Sequence, residues 1–379
     1  RAGACDRYRQ IGRRCRSLGG SVQSFSRSGR QILAARENAA DDPRSGIARW
    51  VGAAVVCIGV NDHCSAIGVE NLVEDIAARA VDRHLGACRA IGAGGEVGKV
   101  AQVVAEAFQV DFERIKITRT TTEKVPNTSA TAASSGSDLN GMAVKDACDT
   151  IRARIAGHLA ELHQQPVESV RFADGEVQVG AERLSFAAAA KLTYEARISL
   201  SATGFYKTPD VAWDRIKGRG RPFFYFAYGA ALTECVIDTL TGENRILRTD
   251  ILHDAGASLN PAIDIGQVEG GFIQGAGWLT TEELVWDSQG RLRTHAPSTY
   301  KVPACSDAPD VFNVALWQGR NREETVYRSK AVGEPPFILG ISALMALSDA
   351  VSACGPGYPA LDAPATPERV LAAIARVRA

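Results

Sequence analysis

Residues 260–277 read NPAIDIGQVEGGFIQGAG, and this stretch carries the clearest structural signal in the chain. Asparagine followed by proline is a favourable N-cap and first-turn pair for a helix. Apolar side chains then recur at helical spacing, at Ile265, Val268, Phe272 and Ala276. We therefore predict a glycine-rich helix that begins at Pro261.

Three further helices are predicted, two before this one in the sequence and one after it. Apolar side chains at helical spacing over residues 100–108 indicate the first. The second has Asp138 as a plausible N-cap and an apolar face that runs up to Gly157. The last covers about residues 338–353 and follows the pair Pro335-Pro336.

Strand patterns separate these helices. A short strand at residues 115–118 leads into a loop, and residues 171–179 read as a hairpin that turns at Asp174-Gly175. Residues 223–240 and 245–254 are predicted as two longer strands. Helices and hairpins without regular strand–helix alternation indicate an α+β fold rather than a doubly wound sheet.

The overall charge excludes one class of partner. Lys+Arg and Asp+Glu both total 43, which gives a formal net charge of zero and a pI near 7.1. A nucleic-acid-binding protein needs a basic footprint, so no nucleic-acid partner is expected. No run approaches the roughly 18 apolar residues of a membrane span, and the Arg-rich start lacks the apolar stretch of a secretory signal. We expect a cytoplasmic protein with no membrane partner.

The composition changes abruptly near residue 98. Residues 1–97 contain no Thr, Lys or Met and 14 Arg, whereas residues 98–379 contain 20 Thr, 9 Lys and 20 Arg. At the density of the second part, roughly 7 Thr would be expected in the first. A divergent domain, a disordered arm and codons translated in the wrong reading frame are three explanations, and the third accounts for all the features together. The first residue is Arg, which suggests a processed or truncated product. We divide the chain into an unassigned part, 1–97, and one domain, 98–379.

A run of small residues forms the first candidate site. Residues 125–137 read VPNTSATAASSGS and directly precede a predicted helix. Backbone N–H groups in such a loop, together with the positive end of the helix dipole, suit an anion such as phosphate. A serine-rich loop with an ordinary N-cap is the structural alternative.

A glutamate between glycine and two prolines forms the second. Residues 329–336 read SKAVGEPP, so the backbone behind Glu334 is stiff and little side-chain bulk stands before it. A general base needs to be held in this way. The alternative is a solvated glutamate that merely favours a helix start.

The glycine-rich helix offers the third candidate site. Gln267 and Glu269 lie in its first two turns, where an amide could hydrogen-bond a cofactor ring. Gly266, Gly270 and Gly271 permit close approach of a ligand, or equally of another helix.

Together, and in this order, the three sites resemble the C-terminal part of the molybdenum-binding subunit of the xanthine dehydrogenase and aldehyde oxidase family. The resemblance covers about residues 98–379 and includes 125–141, 199–205, 259–277, 297–301 and 330–336. The sequence of residues 203–228 resembles bacterial xanthine dehydrogenase more than aldehyde oxidase. An aldehyde oxidase-like enzyme of the same family is kept as an alternative.

The resemblance implies a fold, a cofactor and a reaction. It implies a molybdopterin-binding domain that hydroxylates purines, converting hypoxanthine and xanthine to urate. FAD and [2Fe-2S] clusters would belong to a partner subunit or other domains, since this chain has no cysteine spacing for such clusters. Glu334 falls on the family's catalytic base, and no protein ligand to the metal is assigned. The residues implied to hold molybdenum–molybdopterin are Ala133, Ser134, Ser135, Gly136 and Gln267.

The sequence departs from the family just before the domain begins. The family has a Gly-Gly-x-Glu-Met-Gly-Gln-Gly loop there, whereas residues 87–98 read ACRAIGAGGEVG, with Gly94 at the place of the glutamine. The residues that orient the substrate in the family lie in or upstream of this region and cannot be assigned. A catalytically incomplete remnant that keeps part of the cofactor fold is therefore the other alternative.

Overall fold

A computed structural model describes residues 47–59, 65–68, 94–117 and 136–379, and for 47–59, 65–68 and 94–97 it describes the backbone only. The described residues form a mixed helix and strand structure, which confirms the predicted α+β class. Helix α1, Gly94–Phe108, begins a few residues before the composition change at 98.

The largest sheet of the described residues has four strands. Its strands are β1 (Ile47–Gly59), β9 (Phe226–Asp238), β10 (Asn244–His253) and β11 (Val311–Leu316), in that spatial order. β9 is antiparallel to both β1 and β10, and β11 is parallel to β10. The two long predicted strands are therefore confirmed as β9 and β10.

The other strands of the described residues form three smaller sheets. Arg171–Ala173 (β3), Glu176–Val179 (β4) and Glu182–Ser185 (β5) form an antiparallel meander. Its first turn is the predicted Asp174-Gly175, and both residues have positive φ, at 51° and 76°, as a tight hairpin turn requires. The remaining strands form two antiparallel pairs, Ser65–Gly68 (β2) with Thr203–Tyr206 (β6) and Ala212–Asp214 (β7) with Arg219–Arg221 (β8).

The helices pack into three hydrophobic cores. In the first, α1 packs against α2 (Gly141–Leu162), α3 (Phe186–Glu195) and the meander. In the second, α4 (Pro261–Thr280) and the start of α5 (Ile341–Ser352) pack on the four-stranded sheet. In the third, the rest of α5 packs with α6 (Pro367–Arg378) on β9. As predicted, α4 begins at Pro261, and the Asn260 side chain accepts a hydrogen bond from the Ile263 amide at 3.2 Å.

Several predicted boundaries were wrong. Residues 115–117 form no strand, and Ile115 packs into the first core after a short 3-10 turn. Asp138 is not an N-cap but lies inside a π-helical turn, Gly136–Asn140, that leads into α2. α2 continues to Leu162, because Leu159 and Ala160 extend its buried face beyond Gly157.

The end of the chain also differs from the prediction. The two prolines begin a 3-10 helix, Pro335–Gly340, and the α-helix that follows, α5, starts only at Ile341. α6 was missed altogether, although its buried side chains recur at helical spacing after a first-turn proline. They are Val370, Ala373, Ile374 and Val377.

Residues Pro335–Ser352 are, by length and a mean hydropathy of 1.4, the one stretch of the described residues that could cross a membrane. Within this stretch, 56% is buried inside the protein. A core helix passes the same test, so the stretch is weak support for a membrane span.

Candidate functional site

The structure describes three of the six predicted site residues. Gly136 is buried at the start of the π-helical turn. Gln267 is half-buried in the second turn of α4, and Glu334 is exposed immediately before the 3-10 helix. The other three, Ala133, Ser134 and Ser135, lie outside the described residues.

The 3-10 helix after Glu334 packs directly on α4. A Cβ atom added to Gly271 would lie 2.8 Å from Cβ of Pro336, and one added to Gly275 would lie 2.0 Å from the Phe337 carbonyl oxygen. Real Cβ atoms do not approach this closely, so glycine is required at both positions. Gln267 lies one turn before Gly271 on α4, and Glu334 lies two residues before Pro336, which packs on Gly271.

The neighbouring face of α4 is open. A Cβ atom added to Gly266 or Gly270 would meet nothing within 4 Å among the described residues. These two glycines are four residues apart and so lie on one side of the helix, with the Gln267 amide beside them. An open, side-chain-free surface with an amide at its edge fits a flat heterocyclic group such as a pterin.

A buried ion pair holds this helix against the π-helical turn. The Lys99 ammonium donates hydrogen bonds to the Asp264 carboxylate and, at 3.1 Å, to the Ser137 hydroxyl. The Ser258 hydroxyl donates to the other Asp264 oxygen at 2.5 Å. Lys99 and Asp264 are almost fully buried, so the charges stabilise each other in a poorly solvated place. Sequence patterns do not reveal this pair, because 165 residues separate its members.

A tyrosine connects the π-helical turn to the Glu334 segment. The Tyr225 hydroxyl donates to Oδ2 of Asp138 and accepts the backbone N–H of Ala331 at 2.9 Å. Phe224 and Tyr225 are buried just before β9, whereas Phe226 and Tyr228 at its start are 43% and 49% exposed.

Lys330 fixes the same segment to the sheet. Its ammonium donates to the Phe226 carbonyl oxygen at 2.9 Å and to Oδ2 of Asp254 at 2.6 Å, and it lies 5.3 Å from the centre of the Tyr228 ring. Three contacts, with a carbonyl oxygen, a carboxylate and an aromatic ring, therefore hold Lys330, four residues before Glu334.

The imidazole of His253 lies at the C-terminal end of β10, next in sequence to Asp254, which forms an ion pair with Lys330. Burial lowers the imidazole pKa to about 4, opposed by the nearby carboxylates of Asp254 and Asp264 and reinforced by the Lys330 ammonium. His253 is therefore neutral at ordinary pH.

These elements supply a carboxylate at Glu334, an amide at Gln267 and, at Gly266 and Gly270, a face of α4 with no described atom over it. Within the described ranges, no group of three or more His, Cys, Asp or Glu comes together in a way that could hold a metal ion. What the side chains can do is bind a flat polar group beside α4 and accept a proton at Glu334.

Comparison with known proteins gives the family. A sequence model of the molybdopterin cofactor-binding domain matches residues 84–309. The xanthine dehydrogenase of Oryza sativa subsp. japonica is 47% identical over 285 residues, which cover 72% of this chain and 19% of that protein. The xanthine dehydrogenase/oxidase of Felis catus is 44% identical over 280 residues. The chain thus spans about a fifth of the length of these relatives.

Solved structures share the fold. Quinoline 2-oxidoreductase from Pseudomonas putida 86 superposes with a TM-score of 0.73 at 22% identity, over 92% of this chain and 45% of that one. CO dehydrogenase from Oligotropha carboxidovorans gives 0.73 at 18% identity, over 94% of this chain and 44% of that one. The predicted resemblance to the C-terminal part of the xanthine dehydrogenase family is confirmed by the family model and by the identity to the two relatives.

Proposed function

Because this chain belongs to the family of molybdopterin cofactor-binding domains, we propose that it forms the cofactor-binding part of a molybdenum-dependent oxidoreductase that hydroxylates purines. The substrates would be hypoxanthine and xanthine, and the final product urate. The observation that carries the proposal is the 47% identity to a xanthine dehydrogenase over 285 residues.

The cofactor would lie against the open face of α4. The Gln267 amide would hydrogen-bond it, and backbone groups of Ala133, Ser134, Ser135 and Gly136 would contact its anionic part. The bound molybdenum cofactor supplies an oxygen donor and a two-electron acceptor, chemistry that no side chain can supply. Support for this placement comes from Gly266 and Gly270, at which an added Cβ would meet no described atom within 4 Å.

Glu334 would act as the general base. A carboxylate accepts the proton released as the oxygen nucleophile attacks the electron-poor carbon beside a purine ring nitrogen. The buried prolines that follow Glu334 and the close packing of Pro336 on Gly271 fix the backbone that carries it. A base that is held in place loses little freedom when it reacts.

The electrons would leave through [2Fe-2S] clusters and FAD in a partner subunit or in domains outside this chain. The partner would be the flavin and iron–sulfur subunit of a xanthine dehydrogenase, and the enzyme would work in the cytoplasm. No nucleic-acid or membrane partner enters this function.

A substrate panel tests the proposal. The complete enzyme, in which residues 98–379 follow an intact upstream cofactor domain and join the flavin and iron–sulfur subunit, is assayed with hypoxanthine, xanthine and benzaldehyde. We expect both purines to be oxidised at least about tenfold faster than the aldehyde, because a purine-shaped site leaves polar groups unpaired around a non-purine. Faster oxidation of benzaldehyde would instead favour the aldehyde oxidase-like alternative. No oxidation of any of the three would favour an incomplete remnant.

A further inference from the structure

Tyr225 lies where two otherwise separate segments of the proposed site meet. It is 4% exposed, and its hydroxyl is hydrogen-bonded on both sides. On one side it donates to Asp138, two residues after Gly136, and on the other it accepts the amide of Ala331, three residues before Glu334. One oxygen atom therefore connects the end of the proposed cofactor loop to the segment that carries the proposed base.

We propose that Tyr225 is a positioning residue, whose hydroxyl sets the place of residues 331–334 relative to the π-helical turn. This inference rests on the proposed function, because positioning has a purpose only if Glu334 reacts with a group bound beside Gly136. Tyr225 itself is not catalytic, since it acts through Asp138 and Ala331.

The backbone around Glu334 transmits this constraint. Only Val332 and Gly333 separate the anchored Ala331 from Glu334, and Val332 is buried. On the far side, Pro336 is packed against Gly271 of α4. The segment is thus fixed at both ends, and removing one anchor lets Glu334 move on the side that faces the π-helical turn.

The other end of the bridge is an unusual element. Single π-helical turns are rare, and they often occur at functional sites. The Asp138 side chain accepts hydrogen bonds from the Leu139 amide at 2.8 Å and from Tyr225, so the bridge fixes the turn as well. A tyrosine that only filled the core would not need the hydrogen bonds to Asp138 and Ala331, because phenylalanine fills nearly the same volume.

The test compares two Tyr→Phe variants of the full 379-residue chain by amide hydrogen exchange. Y225F removes the bridging hydroxyl. Y228F makes the same chemical change three residues away on β9, at a tyrosine that is 49% exposed and whose hydroxyl has no hydrogen bond among the described residues. The ring of Tyr228 and its contact with Lys330 are retained in this control.

We expect Y225F to exchange at least about fivefold faster than wild type at residues 331–334 and at residues 136–140, because a buried amide and a carboxylate each lose a partner. Exchange in α4 and α5 should stay unchanged, and Y228F should match wild type throughout. Any other pattern overturns the inference, including equal acceleration along the whole chain, which would indicate a purely structural tyrosine.

Turnover supplies the second readout, in the complete enzyme. Y225F should lower kcat for xanthine by about 10- to 100-fold with KM changed less than about twofold, because a displaced base slows the chemical step more than binding. An unchanged kcat in an active enzyme overturns the inference. A wild-type enzyme that oxidises no purine overturns the proposed function instead, and the exchange experiment then decides the role of Tyr225 alone.

Discussion

At the scale of single residues, the imidazole of His253 makes the stability of the protein depend on pH. It is 1% exposed, and neither ring nitrogen has a hydrogen-bond partner among the described residues. Burial lowers its pKa to about 4 in the folded chain, whereas an unfolded histidine titrates near 6.5. Between these values the unfolded chain binds the extra proton, so the folded state loses stability as the pH falls.

The prediction is a decrease in the free energy of unfolding from pH 6.5 to about 4, of at most about 1.4 kcal/mol per pH unit from this group. Urea unfolding at several pH values measures it. In His253→Leu this part of the slope should disappear. An identical slope in the variant and the wild type would show that groups other than His253 cause the pH dependence.

The Lys99–Asp264 pair is the second feature at this scale. Lys99→Met should destabilise the chain by about 3–5 kcal/mol, because it leaves the Asp264 carboxylate buried without its cation. The double variant Lys99→Met/Asp264→Leu should recover most of that loss, since apolar side chains of similar size fill the space without a charge. Denaturant unfolding of the three proteins checks this. Equal stability of the single and double variants would contradict a mainly electrostatic role.

At the scale of secondary-structure elements, the contact between α4 and the 3-10 helix determines where Glu334 lies. Gly275→Ala should destabilise the fold by about 1–3 kcal/mol, because its Cβ would overlap the Phe337 carbonyl oxygen at 2.0 Å. Gly266→Ala is the matched control on the same helix, and it should cost nothing or add up to about 1 kcal/mol through helix propensity. Thermal unfolding of both variants measures this, and equal melting temperatures would show that the two elements are not packed this closely.

The secondary-structure elements also show which features of the fold could be predicted from the sequence. The start of α4 was predictable because its signals, Asn260 and Pro261, are local. The π-helical turn was not, because its geometry depends on Tyr225, which is 87 residues away from Asp138. The proposed base was identified by its resemblance to a family motif, whereas the residues that hold it from behind appear only when distant segments are brought together.

At the scale of the whole molecule, the composition changes abruptly near residue 98. The relatives align with 72% of the chain, about the share that lies after the change. We propose that residues 1–97 are translated out of frame. Sequencing the coding DNA for codons 1–110 and translating all three frames should then reveal a Gly-Gly-x-Glu-Met-Gly-Gln-Gly segment just before codon 99. Its absence from both other frames would contradict the proposal.

The same view predicts the metal content of the chain as it stands. Purified alone, it should contain far less than one molybdenum per chain, because residues 87–98 lack the Gly-Gly-x-Glu-Met-Gly-Gln-Gly loop that the sequence resemblance leads us to expect there. Elemental analysis of the purified chain tests this. One molybdenum per chain would show that the residues after 98 bind the cofactor unaided.

The most direct test of the proposed function is Glu334→Gln in the complete enzyme, with xanthine turnover and molybdenum content measured on the same samples. The substitution removes a base and no proposed cofactor contact, so molybdenum should stay at the wild-type level while turnover falls at least about a hundredfold. Xanthine oxidation above about one hundredth of the wild-type rate would contradict the role of Glu334.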